Sequence, residues 1–219
     1  PPPASHRPPG SLADSERPCS TLGAWYAYAG EAGRCAAGEG PRARVRRAVE
    51  RLLAAHPGAE IVVTGHSLGG ALATLCAYDL LHALALPSGH GAAKLRAPGR
   101  LTLVPFAAPR LFNLAFQRAM AAQQAAGVLR ACRVAIAGDM VARIPPRALG
   151  CSHGIVPRIL LDPANSRAPL LYDDADADDR FAWARPVDGL AHISHALYLA
   201  GETTPGRPLT VPLDVKWPL

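Results

Sequence analysis

At 219 residues and 49% hydrophobic, the chain is long enough to bury one α/β core and too short for a second. Its formal net charge of +6 comes almost entirely from arginine, Lys94 and Lys216 being the only lysines; this suits anionic surfaces such as lipid headgroups, and it also follows from a chain biased towards Ala, Arg, Gly and Pro. Few aromatic residues and no basic stripe interleaved with them argue against nucleic acid. No apolar run is long enough to span a bilayer and the N-terminus lacks a charged-then-apolar signal pattern, so membrane contact is expected to be peripheral. The five cysteines, Cys19, Cys35, Cys76, Cys132 and Cys151, show no C-x-x-C spacing and are odd in number, which excludes a zinc site and a full disulfide framework.

Residues 1–22 are rich in proline and poor in apolar side chains, and read as a disordered or loosely packed tail. The domain is expected over 23–219, opening with a helical turn or two at Gly23 to Tyr28, then loop from Gly30 to Pro41. Arg42 to His56 predicts a helix with Val45, Val49, Leu52 and Leu53 as its apolar stripe and Arg42, Arg46, Arg47 and Glu50 mostly off it. Those arginines read as a solvated face or as a contact for phospholipid.

Ile61 to Thr64 suits a fully buried strand. It runs into Gly65-His66-Ser67-Leu68-Gly69, and a helix is predicted from Gly69 to about Leu84. Strand, G-x-S-x-G and helix in succession form a nucleophile elbow, with Gly65 and Gly69 allowing close approach and Ser67 at the tip. The Leu68 N–H, at the helix start, can face a developing oxyanion. A Gly- and Pro-rich connection is expected over 87–99. Leu101 to Ala107 is the next strand, with Pro105 awkward for a central position; a helix reaching about Gly127 and a strand from Val128 to Ile136 follow. This order predicts a mainly parallel sheet covered on both faces.

Asp139 stands just beyond the last of these strands, where α/β sheets gather catalytic groups. It reads as the acid that orients a histidine or as a loop residue capping its own turn. Val141 to Pro146 is expected to be extended and stiff. With serine and acid in that order the base must follow Asp139, leaving His153, which reads as structural, and His192 and His195, three residues apart at the start of a helical pattern over 193–201.

With these residues placed, Trp25 to Gly201 resembles the class 3 lipases, the family of fungal triacylglycerol lipases and plant and algal acylhydrolases. Ile61 to Ala73 is similar to the family's elbow, Phe106-Ala107-Ala108-Pro109-Arg110 with Asn113 to its F-G-S-P-R-x-G-N strand end, and Asp139 to Pro146 to its D-x-V-x-R-x-P-P acid motif. The resemblance implies an α/β-hydrolase fold, with Ser67 as nucleophile, Asp139 as acid and His195 as base. His195 is preferred over His192 because His195-Ala196-Leu197-Tyr198-Leu199-Ala200-Gly201 is similar to the family's H-L-x-Y-F-G. It further implies cleavage of lipid esters, of triacylglycerol lipase or phospholipase A1 type, with an acyl lipid at a membrane or droplet surface as partner and no metal or organic cofactor. Two departures stand out. Nothing in residues 1–24 resembles the strand and F-R-G-T/S-like turn that complete the family's oxyanion hole, so the chain is expected to be N-terminally truncated relative to the family. The acidic run Asp173 to Asp179 reads as a solvated loop in preference to a Ca²⁺ site. The rival readings are a catalytically silent domain of the same fold, binding lipid or protein, and a hydrolase of soluble esters or thioesters.

Overall fold

The structure, a computed structural model, describes residues 16–30, 40–83, 100–136, 139–155, 158–161, 170–172, 202–204 and 207–208. The connection expected over 87–99, the acidic run 173–179 and the helical pattern 193–201 with His192 and His195 lie outside the described residues.

The apolar and β-branched runs become strands β1 (Ile61–His66), β2 (Leu101–Phe106), β3 (Leu129–Ala131), β4 (Arg133–Ile136), β5 (Arg158–Leu161) and β6 (Leu170–Tyr172). These form one sheet in the order β1-β2-β4-β5-β6, with β3 also on β2; every pairing is parallel except that of β5 with β6. A separate antiparallel pair is formed by β7 (Glu202–Thr204) and β8 (Arg207–Pro208). The mainly parallel sheet is as expected, and the strands after residue 155 are additional to it.

The single strand expected from Val128 to Ile136 is interrupted at Cys132. Leu103 O accepts from Cys132 N at 3.1 Å and Ala107 N donates to Val134 O at 2.9 Å. Between them the same ladder calls for an N–H at position 105, which proline does not have. Register is nonetheless kept on both sides of the break. Pro105 therefore sits inside a central strand, buried, at the point where one ladder bond is missing.

Four helices occur among the described residues: α1 (Leu22–Ala29), α2 (Pro41–Ala55), α3 (Leu68–Ala83) and α4 (Leu114–Ala125). Asn113 caps α4, its Oδ1 accepting from Phe116 N at 2.9 Å. Helical side chains including Tyr28, Ala71, Leu75, Phe116 and Met120 pack with Leu101 and Leu103 of β2 into the main core, and Leu53 with Leu80 forms a neighbouring cluster against Ile61 and Val63. The other face of the sheet carries Val134, Ile136 and Ile159 with Val104 and Phe106. The described helices pack on the face that carries Leu101, Leu103, Ile61 and Val63. Strand β1, expected to be fully buried, is the outer strand among those described, and Val62 is 63% exposed.

The boundary expected at residue 22 also shifts. Asn113 Nδ2 donates to Arg17 O at 2.8 Å, its Oδ1 accepts from Cys19 N at 3.0 Å, and Thr21 N donates to Leu111 O at 2.7 Å. Residues 17–21 are therefore fastened to the segment after β2.

A buried carboxylate joins three helices. Asp79 of α3, with 7% of its side chain exposed, accepts from Tyr28 Oη at 3.0 Å, from Arg42 Nε and Nη2 at 3.0 and 2.7 Å, and from Arg46 Nε at 2.7 Å; Arg46 Nη2 is a further donor. Arg42 and Arg46, one helical turn apart, thus face inward, whereas the sequence placed them off the buried side of α2. Burial alone would raise the Asp79 carboxyl, but the hydrogen bonds and charges of Arg46 and Arg42 reverse this and hold it below its ordinary value of 3.8. Burial, followed by its carboxylate and thiol neighbours, pushes the Tyr28 hydroxyl far up, so it stays a donor. A depressed carboxyl gives stability that is complete above its ordinary value and lost as pH falls through its lower folded value. Asp79→Asn is therefore expected to cost about 2 kcal/mol at neutral pH, less than a fully buried pair because the arginines are about one-third exposed. Melting temperatures should differ most at pH 7 and converge below pH 3.8.

Candidate active site

The sharp turn between β1 and α3 places Ser67. Its φ of 57° is in the left-handed region, which non-glycine residues enter only when their surroundings hold them there. The holding groups are backbone: Ser67 N donates to Phe106 O at 3.0 Å, and Ser67 O accepts from Gly70 N at 2.9 Å and Ala71 N at 3.4 Å. Close approach comes from Gly65 and Gly70, where the sequence indicated Gly65 and Gly69. A Cβ on Gly65 would lie 2.2 Å from Gly69 O, and one on Gly70 would lie 2.9 Å from Gly65 O and 3.1 Å from Ala108 Cβ; a Cβ on Gly69 would meet nothing within 4 Å. Leu68 is the first residue of α3, so its N–H has no carbonyl one turn behind it and faces outward at the helix start. Its side chain is half exposed.

Asp139 follows β4, and Ser67 follows β1. Because β1, β2 and β4 are parallel neighbours, both residues stand at the carboxyl edge, two strand spacings or roughly 10 Å apart in the sheet direction. An imidazole with a hydrogen bond at each ring nitrogen can bridge such a gap. Asp139 is 1% exposed and its Oδ1 accepts from Val141 N at 2.9 Å. It does cap its own turn, and a carboxylate with four lone-pair sites can do so while accepting a second donor. The segment after it is not extended throughout: Val141–Arg143 and Arg147–Leu149 are short 3₁₀ turns on either side of an extended Ile144. His153, read as structural, is buried at 6% exposure. Its neighbour Gly154 takes a φ of 79°, where a Cβ would press on the Phe112 and Phe116 rings.

The segment between β2 and α4 ties the two halves of this edge together. Ala108 packs beside Gly70 behind the elbow. Arg110, 3% exposed, donates its backbone N–H to Ile144 O at 2.8 Å, and its Nη1 donates to Arg143 O and Pro145 O. The segment just after the Asp139 turn is thus held by a guanidinium from the loop that follows β2. Sequence reading gave Arg110 no role of its own; its signal was the Pro109-Arg110 pair in the strand-end motif. Ala107 has a φ of 53° where the family pattern has glycine, which explains the glycine and leaves this chain with local strain.

Residues 14–149 match the family model described as lipase (class 3). The chain belongs to the class 3 lipase family. Among curated relatives, it is 37% identical over 110 residues to phospholipase A1-II 6 of Oryza sativa subsp. japonica, covering 48% of this chain and 25% of that protein. It is 38% identical over 86 residues to lipase ZK262.3 of Caenorhabditis elegans, covering 39% and 20%. The chain thus spans a quarter or less of the length of these curated relatives. The mono- and diacylglycerol lipase of Aspergillus oryzae is similar in fold, with a TM-score of 0.59 at 22% identity over 86% of this chain and 62% of that one. A Penicillium cyclopium structure of a form called MDLA N225Q gives 0.51 at 26% identity over 70% and 52%. The fold of this member of the class 3 lipase family is accordingly that of the α/β-hydrolases, as the sequence implied.

Proposed function

We propose that the protein is a serine hydrolase cleaving carboxylic esters of lipids, of triacylglycerol lipase or phospholipase A1 type, through an acyl-enzyme. Ser67 Oγ attacks the acyl carbonyl while the imidazole of His195 takes its proton. The tetrahedral oxyanion is met by the Leu68 N–H. Collapse expels the alcohol, which receives the proton from His195, and water activated by the same ring then releases the fatty acid and restores Ser67. Asp139 holds the imidazole in the required tautomer and stabilises its cation. The observation that supports this most is the strained Ser67 at the mouth of α3, on the same sheet edge as a buried carboxylate two strands away. Membership of the class 3 lipases and the name of the phospholipase A1 relative favour lipid over water-soluble esters.

The test is release of fatty acid from an emulsified glycerolipid. Wild-type chain should release it faster once the substrate passes from monomer to emulsion, and Ser67→Ala should lower turnover by on the order of 10⁴ or more with an unchanged circular dichroism spectrum. Equal, background release by both would favour the silent lipid- or protein-binding domain. Activity on short esters with no rise at the emulsion would favour the soluble-ester or thioester hydrolase.

A further inference from the structure

The turn that carries Asp139 draws little support from apolar packing. Its 3₁₀ segment Val141–Arg143 buries Ala142, but Met140 and Ile144 on either side are 38% and 47% exposed. So short a helix also ends on carbonyls that have no helical donor. Arg110 supplies donors for them. Its Nη1 donates to Arg143 O and, at 3.4 Å, to Pro145 O, while its backbone N–H donates to Ile144 O at 2.8 Å. One residue thus gathers three successive carbonyls. The chain of bonds continues back to the acid: Ile144 N donates to Val141 O at 3.4 Å, Arg143 N to Met140 O at 3.0 Å, and Val141 N to Asp139 Oδ1 at 2.9 Å.

Arg110 is itself firmly placed. Ala108 lies beside Gly70 of the elbow, Phe112 and Ser152 exchange backbone bonds in both directions, and the Asn113 amide bonds Cys19 N and Arg17 O. The short stretch after β2 therefore reaches both the Ser67 side and the Asp139 side of the sheet edge. At 3% exposure, a guanidinium is costly to bury unless its donors find acceptors. Its planar fork suits separate carbonyls better than the point charge of an ammonium.

We propose that Arg110 is a positioning residue: by holding the carbonyls of residues 143–145 it sets the place of the Asp139 carboxylate, and through it the rate of ester cleavage. The effect on turnover rests on the hydrolase reading above, whereas the hold on the turn does not.

A double-mutant cycle with Asp139→Asn tests it. Arg110→Met keeps the length of the stem and removes its donors. On a monomeric soluble ester it should lower kcat about a hundredfold with KM within about twofold, the size produced when a group away from the reacting atoms is misplaced. Arg110→Lys keeps the charge without the fork and should lose about tenfold. In the Asp139→Asn background either change should cost less than about threefold, since the carboxylate through which Arg110 acts is gone. A merely structural role would lower kcat equally in both backgrounds. Amide exchange reads the turn without turnover: in Arg110→Met the Val141 N–H should exchange at least about tenfold faster while the Gly70 N–H at the elbow keeps its rate. Equal kcat losses in the two backgrounds, or unchanged Val141 exchange, would overturn the proposal. If Arg110→Met does not fold, the Arg110→Lys cycle and its exchange rates decide in the same way. A wild-type chain that cleaves no ester would sink the hydrolase reading; faster Val141 exchange would then still uphold the hold of Arg110 on the Asp139 turn, and unchanged exchange would overturn that too.

Discussion

Asp139→Asn is expected to reduce turnover by about 10³ to 10⁴ while leaving the fold intact. The amide keeps an oxygen where Oδ1 now accepts from Val141 N, so the turn after β4 stays closed. What it loses is the negative charge that stabilises an imidazolium and selects its tautomer, and loss of that charge has this size of effect when geometry is preserved. Asp139→Ala removes the cap as well as the charge. Its activity should be as low as that of the amide variant, with an added stability cost of about 1 kcal/mol from the unsatisfied Val141 N–H. Comparing kcat and melting temperature for both variants separates the two roles of one side chain. If Asp139→Asn kept near-wild-type kcat, the carboxylate would be a turn residue only.

Gly65→Ala is expected to be the most damaging small substitution on this edge. Its Cβ would lie 2.2 Å from Gly69 O, 2.4 Å from Gly69 C and 2.9 Å from Gly70 N, all of them backbone atoms. Relief requires α3 to move off β1, which would pull Ser67 N from Phe106 O and open the first turn of the helix. A cost above about 4 kcal/mol is expected, lowering the melting temperature by about 10 °C or more. Gly69→Ala is the matched control from the same motif. With open space around its Cβ and a helical backbone, it should leave the melting temperature unchanged or raise it by about 2 °C. Near-equal melting temperatures for the two variants would contradict the packing described at the elbow.

The contrast between those glycines shows what the sequence could and could not reveal. The elbow was legible because strand, turn and helix are contiguous, and each carries its own local pattern. Asp139 was legible as a position, since the end of an apolar run marks the end of a strand. Sequence alone left it either as the acid or as a cap on its own turn, and the bond from Val141 N to Oδ1 shows that it caps. The identity of the close-approach glycine depends on which backbone crosses which, and that is set by the angle between β1 and α3. Val45 and Leu52 are 36% and 59% exposed but read as core, because helical periodicity reports apolar residues without stating whether a partner lies opposite. Asp79 was passed over for a related reason. Its donors come from α1 and α2, 33 to 51 residues away, and only the one-turn spacing of Arg42 and Arg46 hinted that they would share a target. Arg110 behaves likewise, reaching 33 and 35 residues along the chain to the carbonyls of Arg143 and Pro145.

The central claim is that Ser67 is an activated nucleophile, and a fluorophosphonate probe followed by peptide mapping tests it most directly. One adduct per chain on the peptide holding Ser67, with labelling slowed at least a hundredfold in both Asp139→Asn and His195→Ala, is the predicted result. No adduct on folded protein, or an adduct on Ser67 whose rate is indifferent to residues 139 and 195, would contradict it.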